Sequence, residues 1–214
     1  MDPNHHAMLR AIRRAVRDYK QAVVNEYGIG TDIPHLLVLT QGRRLVTTTM
    51  LDTADHTTEA GASVTVALSD ADLAVVTAEC YVSEIGQRGD LRTAFAGGDP
   101  QVQEAVTYVA IPKRSPTLVF TETYRYRGKT VEWVPIDWDP GTAETEGEVV
   151  RSIRVGFRAQ ENRPGPALIT PGSRLFSLGH SHPTPDTVML DFALALPCPC
   201  GSARPINRCC AMNN

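Results

Sequence analysis

The sequence predicts an α+β protein: an N-terminal amphipathic helix packed on a largely antiparallel sheet, followed by a short cysteine-rich tail. Apolar residues recur at helical spacing at the start of the chain, and runs of β-favouring residues separated by turn residues follow. Four of the five cysteines stand in the last seventeen residues. With 214 residues and 42% apolar content, the chain can bury a core, so one domain with an appendage is expected.

The first predicted element is a helix that begins at Asp2 and Pro3 and ends at Gly28. Its apolar residues are Leu9, Ile12, Val16, Tyr19, Val23 and Tyr27. Another face is cationic and carries Arg10, Arg13, Arg14, Arg17 and Lys20. We expect this cationic face to be solvated, with an acidic partner or a nucleic acid as the alternative.

Hairpins dominate the middle of the chain. The predicted strands are HLLVLT and RLVTTTM around a turn at 41–43, LAVVTAECYVSE at 73–84, EAVTYVAI at 104–111, and TLVFTETYRYR and TVEWVPIDW around a turn at 128–129. A short helix is expected within 56–69 and a polar loop at 84–100. Residues 35–138 resemble small α+β proteins of actinobacteria and their phages, a resemblance that implies a fold but no activity.

The remaining segments lead to the tail. An acidic loop is expected at 139–148, then a helix at 148–160 that Gly156 weakens. Residues 162–186 are rich in proline and glycine and predict an arm on the domain or a linker, and the apolar run 188–196 should dock on the body. The predicted units are therefore 1–160 (α+β domain), 161–187 (arm or linker) and 188–214 (apolar lead-in and tail).

The tail, CPCGSARPINRCCAMNN, gathers four thiols within a short segment. Cys198 and Cys200 flank one proline, and Cys209 and Cys210 return after a turn-rich loop. Zinc takes four thiolates tetrahedrally at about 2.3 Å, and metal binding would order a segment that is too short to bury a core. Labile disulfides, a redox pair or unpaired thiols are the alternatives.

The environment of these thiols is expected to be reducing. The chain begins without a secretory signal pattern, and no run approaches the roughly twenty apolar residues that span a bilayer. We therefore expect a cytoplasmic protein that has no membrane partner. Clustered cysteines in that compartment are more often metal ligands than disulfides, which favours zinc (Zn2+).

The pattern CPCGSxxxxxxCC resembles the SEC-C motif, known as the zinc-binding tail of the protein-export ATPase SecA and found on many otherwise unrelated bacterial proteins. The matching positions are the ligands Cys198, Cys200, Cys209 and Cys210 and the pair Gly201 and Ser202. The resemblance implies a structural zinc knuckle and a protein or ribonucleoprotein partner for the tail. The loop between the cysteine pairs reads ARPINR here, whereas typical members carry a lysine-rich loop with a tyrosine. The resemblance therefore does not imply that this tail binds the partners of SecA.

Three further groups are candidate sites by residue type. They are His180, Ser181 and His182 with Asp186; Asp52 and Asp55 with His56; and Cys80 beside Glu79. We expect a solvated loop for the first group and a turn with a helix cap for the second. For Cys80 we expect a buried core thiol. Adjacent strand residues point to opposite faces, so Glu79 is not placed to act as a base for this thiol.

The second hairpin offers a possible stacking surface. Tyr124 and Tyr126 share one strand face, Arg125 and Arg127 share the other, and tryptophans stand at 133 and 138. The rings could stack nucleobases, but we expect them to face the first helix while the arginines face water. The net charge of −3 also argues against binding nucleic acid by bulk electrostatics.

No familiar catalytic string, GxxxxGKS, GxGxxG, HExxH or GxSxG, occurs in the chain. No catalytic residue is therefore assigned. The expected function is a non-enzymatic interaction or adapter module. An enzyme or small-molecule-binding body with an appended tail is the second hypothesis, and nucleic-acid binding is the third.

Overall fold

The computed structural model describes residues 2–51, 57–83, 91–99, 101–134, 141–142, 147–171 and 176–178, with seven residues of the tail between 198 and 209. Within these ranges the chain forms four helices and eight strands. In chain order they are α1 (Pro3–Tyr27), β1 (His35–Gln41), β2 (Arg44–Leu51), α2 (Thr57–Leu68), β3 (Leu73–Ser83), α3 (Leu91–Ala96), β4 (Val102–Pro112), β5 (Leu118–Arg127), β6 (Thr130–Trp133), β7 (Gly141–Thr142), α4 (Glu148–Glu161) and β8 (Phe176–Leu178).

The described strands form one largely antiparallel sheet. Its order is β6-β5-β4-β3-β1-β2-β8, with β7 paired to β5. Among the described pairs, β2 with β8 is parallel and the others are antiparallel. The strand β1 lies inside the sheet and is buried on both faces, which explains its continuous apolar run. The predicted α+β class, with an N-terminal helix on the sheet, is confirmed.

Helix α1 begins and ends where the sequence predicts. The Asp2 carboxylate accepts the N–H of Asn4 at 2.7 Å, Pro3 occupies the first turn, and Gly28 ends the helix with φ at 101°. The apolar stripe of α1 packs on one sheet face in a buried cluster that contains Leu9 and Ile12. This cluster of helix and strand side chains is the larger part of the core.

Helices α2 and α4 cover the opposite sheet face, so the sheet lies between two helical layers. Both helices were predicted, but Gly156 does not act as the expected weak point. A Cβ atom at this position would lie 2.5 Å from the carbonyl oxygen of Ser63 and 2.8 Å from the Cβ of Val66. Gly156 therefore allows α4 to cross α2 at close range.

Two short elements fall where loops were expected. Helix α3 lies within the predicted polar loop 84–100, and β7 lies within the predicted acidic loop and pairs with β5. Neither has a long apolar repeat, so neither produces a pattern in the sequence.

The described parts of the arm contact the body. The backbone N–H groups of Leu168 and Ile169 donate to the carbonyl of Leu68, and β8 pairs with β2. The Arg163 guanidinium donates to the carbonyls of Ala67 and Ser69. The unit boundaries at 160 and 187 stay predictions, and the apolar lead-in 188–196 lies outside the described residues.

In the described part of the chain, no helix combines the length and apolar character required to cross a bilayer.

Candidate metal centre

Three cysteines of the tail converge. The sulfur atoms of Cys198, Cys200 and Cys209 all lie within 4.8 Å of one another, and those of Cys200 and Cys209 are 3.4 Å apart. All three are free thiols. Cys198 is fully buried, Cys209 half-buried and Cys200 exposed. The residues described here therefore place three soft ligands around one point.

Hydrogen bonds within the tail hold this arrangement. The backbone N–H of Cys198 donates to the carbonyl of Arg204 at 2.7 Å, which closes the loop between the two cysteine pairs. The Ser202 hydroxyl lies 3.2 Å from the sulfur of Cys209 and accepts the N–H of Arg204. The turn residues of the sequence thus bend the chain so that its thiols meet.

Further contacts within the tail favour the thiolate form of Cys200. Hydrogen bonds from the side chain and the backbone of Ser202, with those from the thiols of Cys198 and Cys209, lower the pKa of Cys200 to about 6. A thiolate is the form that binds metal ions. Cys200, one of the three converging cysteines, therefore reaches the metal-binding form at a lower pH than an ordinary thiol.

The donor set fits a soft, thiophilic metal ion. Thiolates bound to one zinc at about 2.3 Å lie roughly 3.8 Å apart in a tetrahedron, close to the sulfur separations of the tail. Sulfur ligands select zinc over the hard ions calcium and magnesium, which prefer oxygen. These three cysteines can hold a metal ion. The fourth predicted ligand, Cys210, lies outside the described residues.

Two of the other predicted groups also lie outside the described residues. They are His180, Ser181, His182 and Asp186, and Asp52, Asp55 and His56. Cys80 and Glu79 are described, and they lie on opposite sheet faces as predicted. The thiol of Cys80 is half-buried, not fully buried as expected, and is 3.3 Å from the Thr107 hydroxyl.

The prediction of a solvated cationic face on α1 is wrong for Lys20. Its side chain is fully buried, and its ammonium lies 2.6 Å from a carboxylate oxygen of Glu79 and 2.7 Å from the carbonyl of Thr31. Glu79 also accepts hydrogen bonds from the Tyr124 hydroxyl and the Ile33 N–H. Burial disfavours the ammonium, but the neighbouring carboxylate outweighs it and raises the pKa of Lys20.

Arg13 and Arg17 also depart from the prediction. Both guanidinium groups pair with one carboxylate oxygen of Glu122, whose side chain is fully buried. Positions 13, 17 and 20 form a row that flanks the apolar stripe, so the sheet lies beneath them. The helical repeat reveals the charges of this row, but it does not reveal that carboxylates from β3 and β5 stand below it.

A second set of possible metal ligands lies beside Lys20. Carboxylate oxygens of Asp32, Glu79 and Glu104 fall within 4.8 Å of one another. Burial raises the pKa of Glu79 to about 7, against the lowering effects of Lys20 and of the Ile33 N–H. Burial likewise raises the pKa of Glu104. The Lys20 ammonium already pairs with Glu79 here, so we interpret the buried part of this cluster as an ion-pair network under α1.

The aromatic hairpin faces inward. Tyr124 is buried, and the Lys20 ammonium lies 5.1 Å from its ring centre and 5.9 Å from that of Tyr126. The side chains of Arg125 and Arg127 are 78% and 84% exposed. The expected arrangement is confirmed: these tyrosine rings lie against α1, and the two arginines face water. The other predicted ring, at position 138, is outside the described residues.

Sequence reasoning missed a polar cleft of about 570 Å³ at the N-terminal end of α1. There, His5 Nε2 lies 3.3 Å from Asp72 Oδ1, and the other oxygen of Asp72 accepts the N–H of Gly42 at 2.8 Å. The two residues are 67 positions apart in sequence, so no local motif marks the pair. The packing of α1 on the sheet brings them together.

No family model, curated protein or solved structure matches this chain. The cysteine cluster is therefore interpreted from its own geometry and chemistry.

Proposed function

We propose that the chain is a non-enzymatic adapter whose tail binds one structural Zn2+ through Cys198, Cys200, Cys209 and Cys210. The convergence of three tail sulfurs within 4.8 Å is the observation that carries this proposal. Four thiolate ligands leave no open position for a water or a substrate, which is typical of structural and not catalytic zinc. On this proposal the tail is a SEC-C-like module.

The folded tail presents a small surface to a partner. Metal binding orders such a segment because its free energy replaces that of a hydrophobic core. Arg204 and Ser202 are exposed on the ordered loop, where they are available for contact. The proposed partner is a protein or a ribonucleoprotein, and the chain is proposed to act in the cytoplasm.

The metal content of protein purified under reducing conditions tests the zinc site. The proposal predicts about one zinc per chain by elemental analysis. The double variant Cys200→Ser with Cys209→Ser should lose the metal, whereas Cys80→Ser, which changes a cysteine of the body, should keep it. Less than about half a zinc per chain, or full occupancy in the double variant, contradicts the proposal.

The adapter role needs a separate test. Pull-down experiments would compare the intact chain, the cysteine double variant and a chain that ends at position 197. A partner retained by the intact chain and lost by both altered chains supports the role. Identical partner sets for the three proteins contradict it, whatever the metal content.

The polar cleft favours a second candidate, a body that binds a small polar molecule. Asp72 orients His5, and the other lining residues include Lys113, Ser115 and Gln160. A thermal-shift panel of small metabolites would test it. Stabilisation that disappears in His5→Ala but persists in His6→Ala supports this candidate, and a panel without any stabilising compound counts against it.

A further inference from the structure

A second cleft, of about 560 Å³, lies between α1 and β6. Arginines dominate its lining. The lining residues are Arg10, Arg13, Arg14, Arg17, Asp18, Gln21, Val131 and Trp133.

The arginine positions are unfavourable for the helix unless an anion compensates them. Like charges that stand three or four residues apart on one helix face repel each other. The buried carboxylate of Glu122 compensates Arg13 and Arg17 from the sheet side. Arg10 and Arg14 are exposed on the open side, where Asp18 is the carboxylate among the described lining residues. The open side therefore keeps an excess of positive charge.

The opposite wall of the cleft is held in place. The side chain of Gln21 accepts the N–H of Val131 at 2.9 Å and donates to the carbonyl of Lys129 at 2.8 Å, which fixes the hairpin to α1. The ring of Trp133 packs 5.0 Å from that of Tyr124, and the Arg17 guanidinium lies 5.2 Å from its centre. An aromatic ring thus stands at a fixed place beside the arginines.

We propose that this cleft binds a nucleoside phosphate, with its phosphates on Arg10 and Arg14 and its base against the stacked pair of Arg17 and Trp133. Guanidinium groups match phosphate oxygens with paired hydrogen bonds, and bases stack on the planar faces of guanidinium groups as they do on aromatic rings. The cleft volume falls within the range of small-ligand sites. The site belongs to the body and does not depend on the metal of the tail.

Calorimetric titration of the full chain with ATP, inorganic pyrophosphate and adenosine tests the proposal. ATP should bind more tightly than pyrophosphate, and adenosine should bind weakest, because the phosphates supply most of the affinity and the base supplies the rest. The double variant Arg10→Ala with Arg14→Ala should weaken ATP binding at least about tenfold. The matched variant Arg125→Ala with Arg127→Ala removes two exposed charges elsewhere and should change it less than about twofold.

The base contact has its own control. Trp133→Leu should weaken ATP binding several-fold and leave pyrophosphate binding unchanged, with the melting temperature confirming that each variant folds. Equal affinities for ATP and pyrophosphate overturn the nucleoside part of the proposal. Absent ATP binding at millimolar concentration and low salt, or equal losses in both arginine pairs, overturns it entirely.

The nucleoside phosphate could come from a free nucleotide or from a single strand of RNA. A short RNA oligonucleotide added in competition with ATP separates the two sources. Displacement at concentrations at least about tenfold below that of ATP identifies the strand, and weaker displacement identifies the free nucleotide. In both cases the Arg10 and Arg14 variant must lose the binding.

Discussion

The body and the tail are ordered by different chemistry. Apolar side chains on both sheet faces order the body, with charged pairs enclosed beneath α1. The described tail has converging thiols and its own hydrogen bonds in place of an apolar cluster. A change that damages one region should therefore leave the other intact, and the following predictions test that independence.

The largest effect is expected inside the body, at the buried lysine. Lys20→Met leaves the Glu79 carboxylate buried without its cation, and it should lower the free energy of unfolding by about 3–5 kcal/mol. Urea denaturation at pH 8 measures this loss. The control Arg14→Met removes an exposed cation from the same helix and should cost less than about 0.5 kcal/mol. Equal losses of unfolding free energy in the two variants would show that the buried pair contributes no more to stability than an exposed cation does.

The pH dependence of body stability should reveal Glu79 next. Burial raises its pKa to about 7 from the ordinary value of 4.5. Folding therefore favours the protonated form, and this contribution is complete below pH 4.5 and is lost as the pH rises through 7, a change of about 3 kcal/mol. Glu79→Gln cannot titrate, so its unfolding free energy should fall less between pH 5 and 8.

Glu104 is present in both proteins, so the difference between the two profiles reports the loss of the Glu79 carboxylate from this cluster. Glu132→Gln, which changes a carboxylate on the exposed side of β6, serves as the control and should keep the wild-type profile. Parallel profiles for wild type and Glu79→Gln would contradict the prediction.

A smaller loss is expected where α4 crosses α2. Gly156→Ala places a methyl group against the backbone of Ser63 and should cost about 1–3 kcal/mol, although alanine favours an isolated helix. Val155→Ala alters the adjacent, exposed position and should cost less than about 0.5 kcal/mol. Chemical denaturation of both variants measures these changes in unfolding free energy, and a stabilised Gly156→Ala protein would refute the close crossing of the two helices.

The smallest effect on the body should come from the tail. Replacing Cys200 and Cys209 by serine should change the unfolding free energy of the body by less than about 0.5 kcal/mol. If the proposed zinc site orders the tail, the same variant should be cleaved faster by protease after position 198, because it cannot hold the metal. A loss of several kcal/mol from the body would show that the two regions are coupled.

The sequence predicted the elements better than their partners. The α1 repeat, the hairpin turns and the strand runs are local signals, and they placed most elements correctly. The pairing of Lys20 with Glu79 joins an N-terminal helix to the middle of the sheet, and no local pattern encodes it. The cationic row was therefore misread as solvated.

The candidate metal centre was predictable for the opposite reason. Its cysteines lie within one short segment, so their spacing and the local turns indicate that they meet, as three of them do. The two clefts depend on contacts between distant elements, such as Asp72 with His5 or Trp133 with α1. Those sites required the fold.

X-ray absorption at the zinc edge tests the central claim most directly, because it reports the ligands of the bound metal. Zinc-loaded wild-type protein should show four sulfur neighbours at about 2.3 Å. A shell that contains nitrogen or oxygen ligands, or fewer than four sulfurs, would contradict a site made of Cys198, Cys200, Cys209 and Cys210.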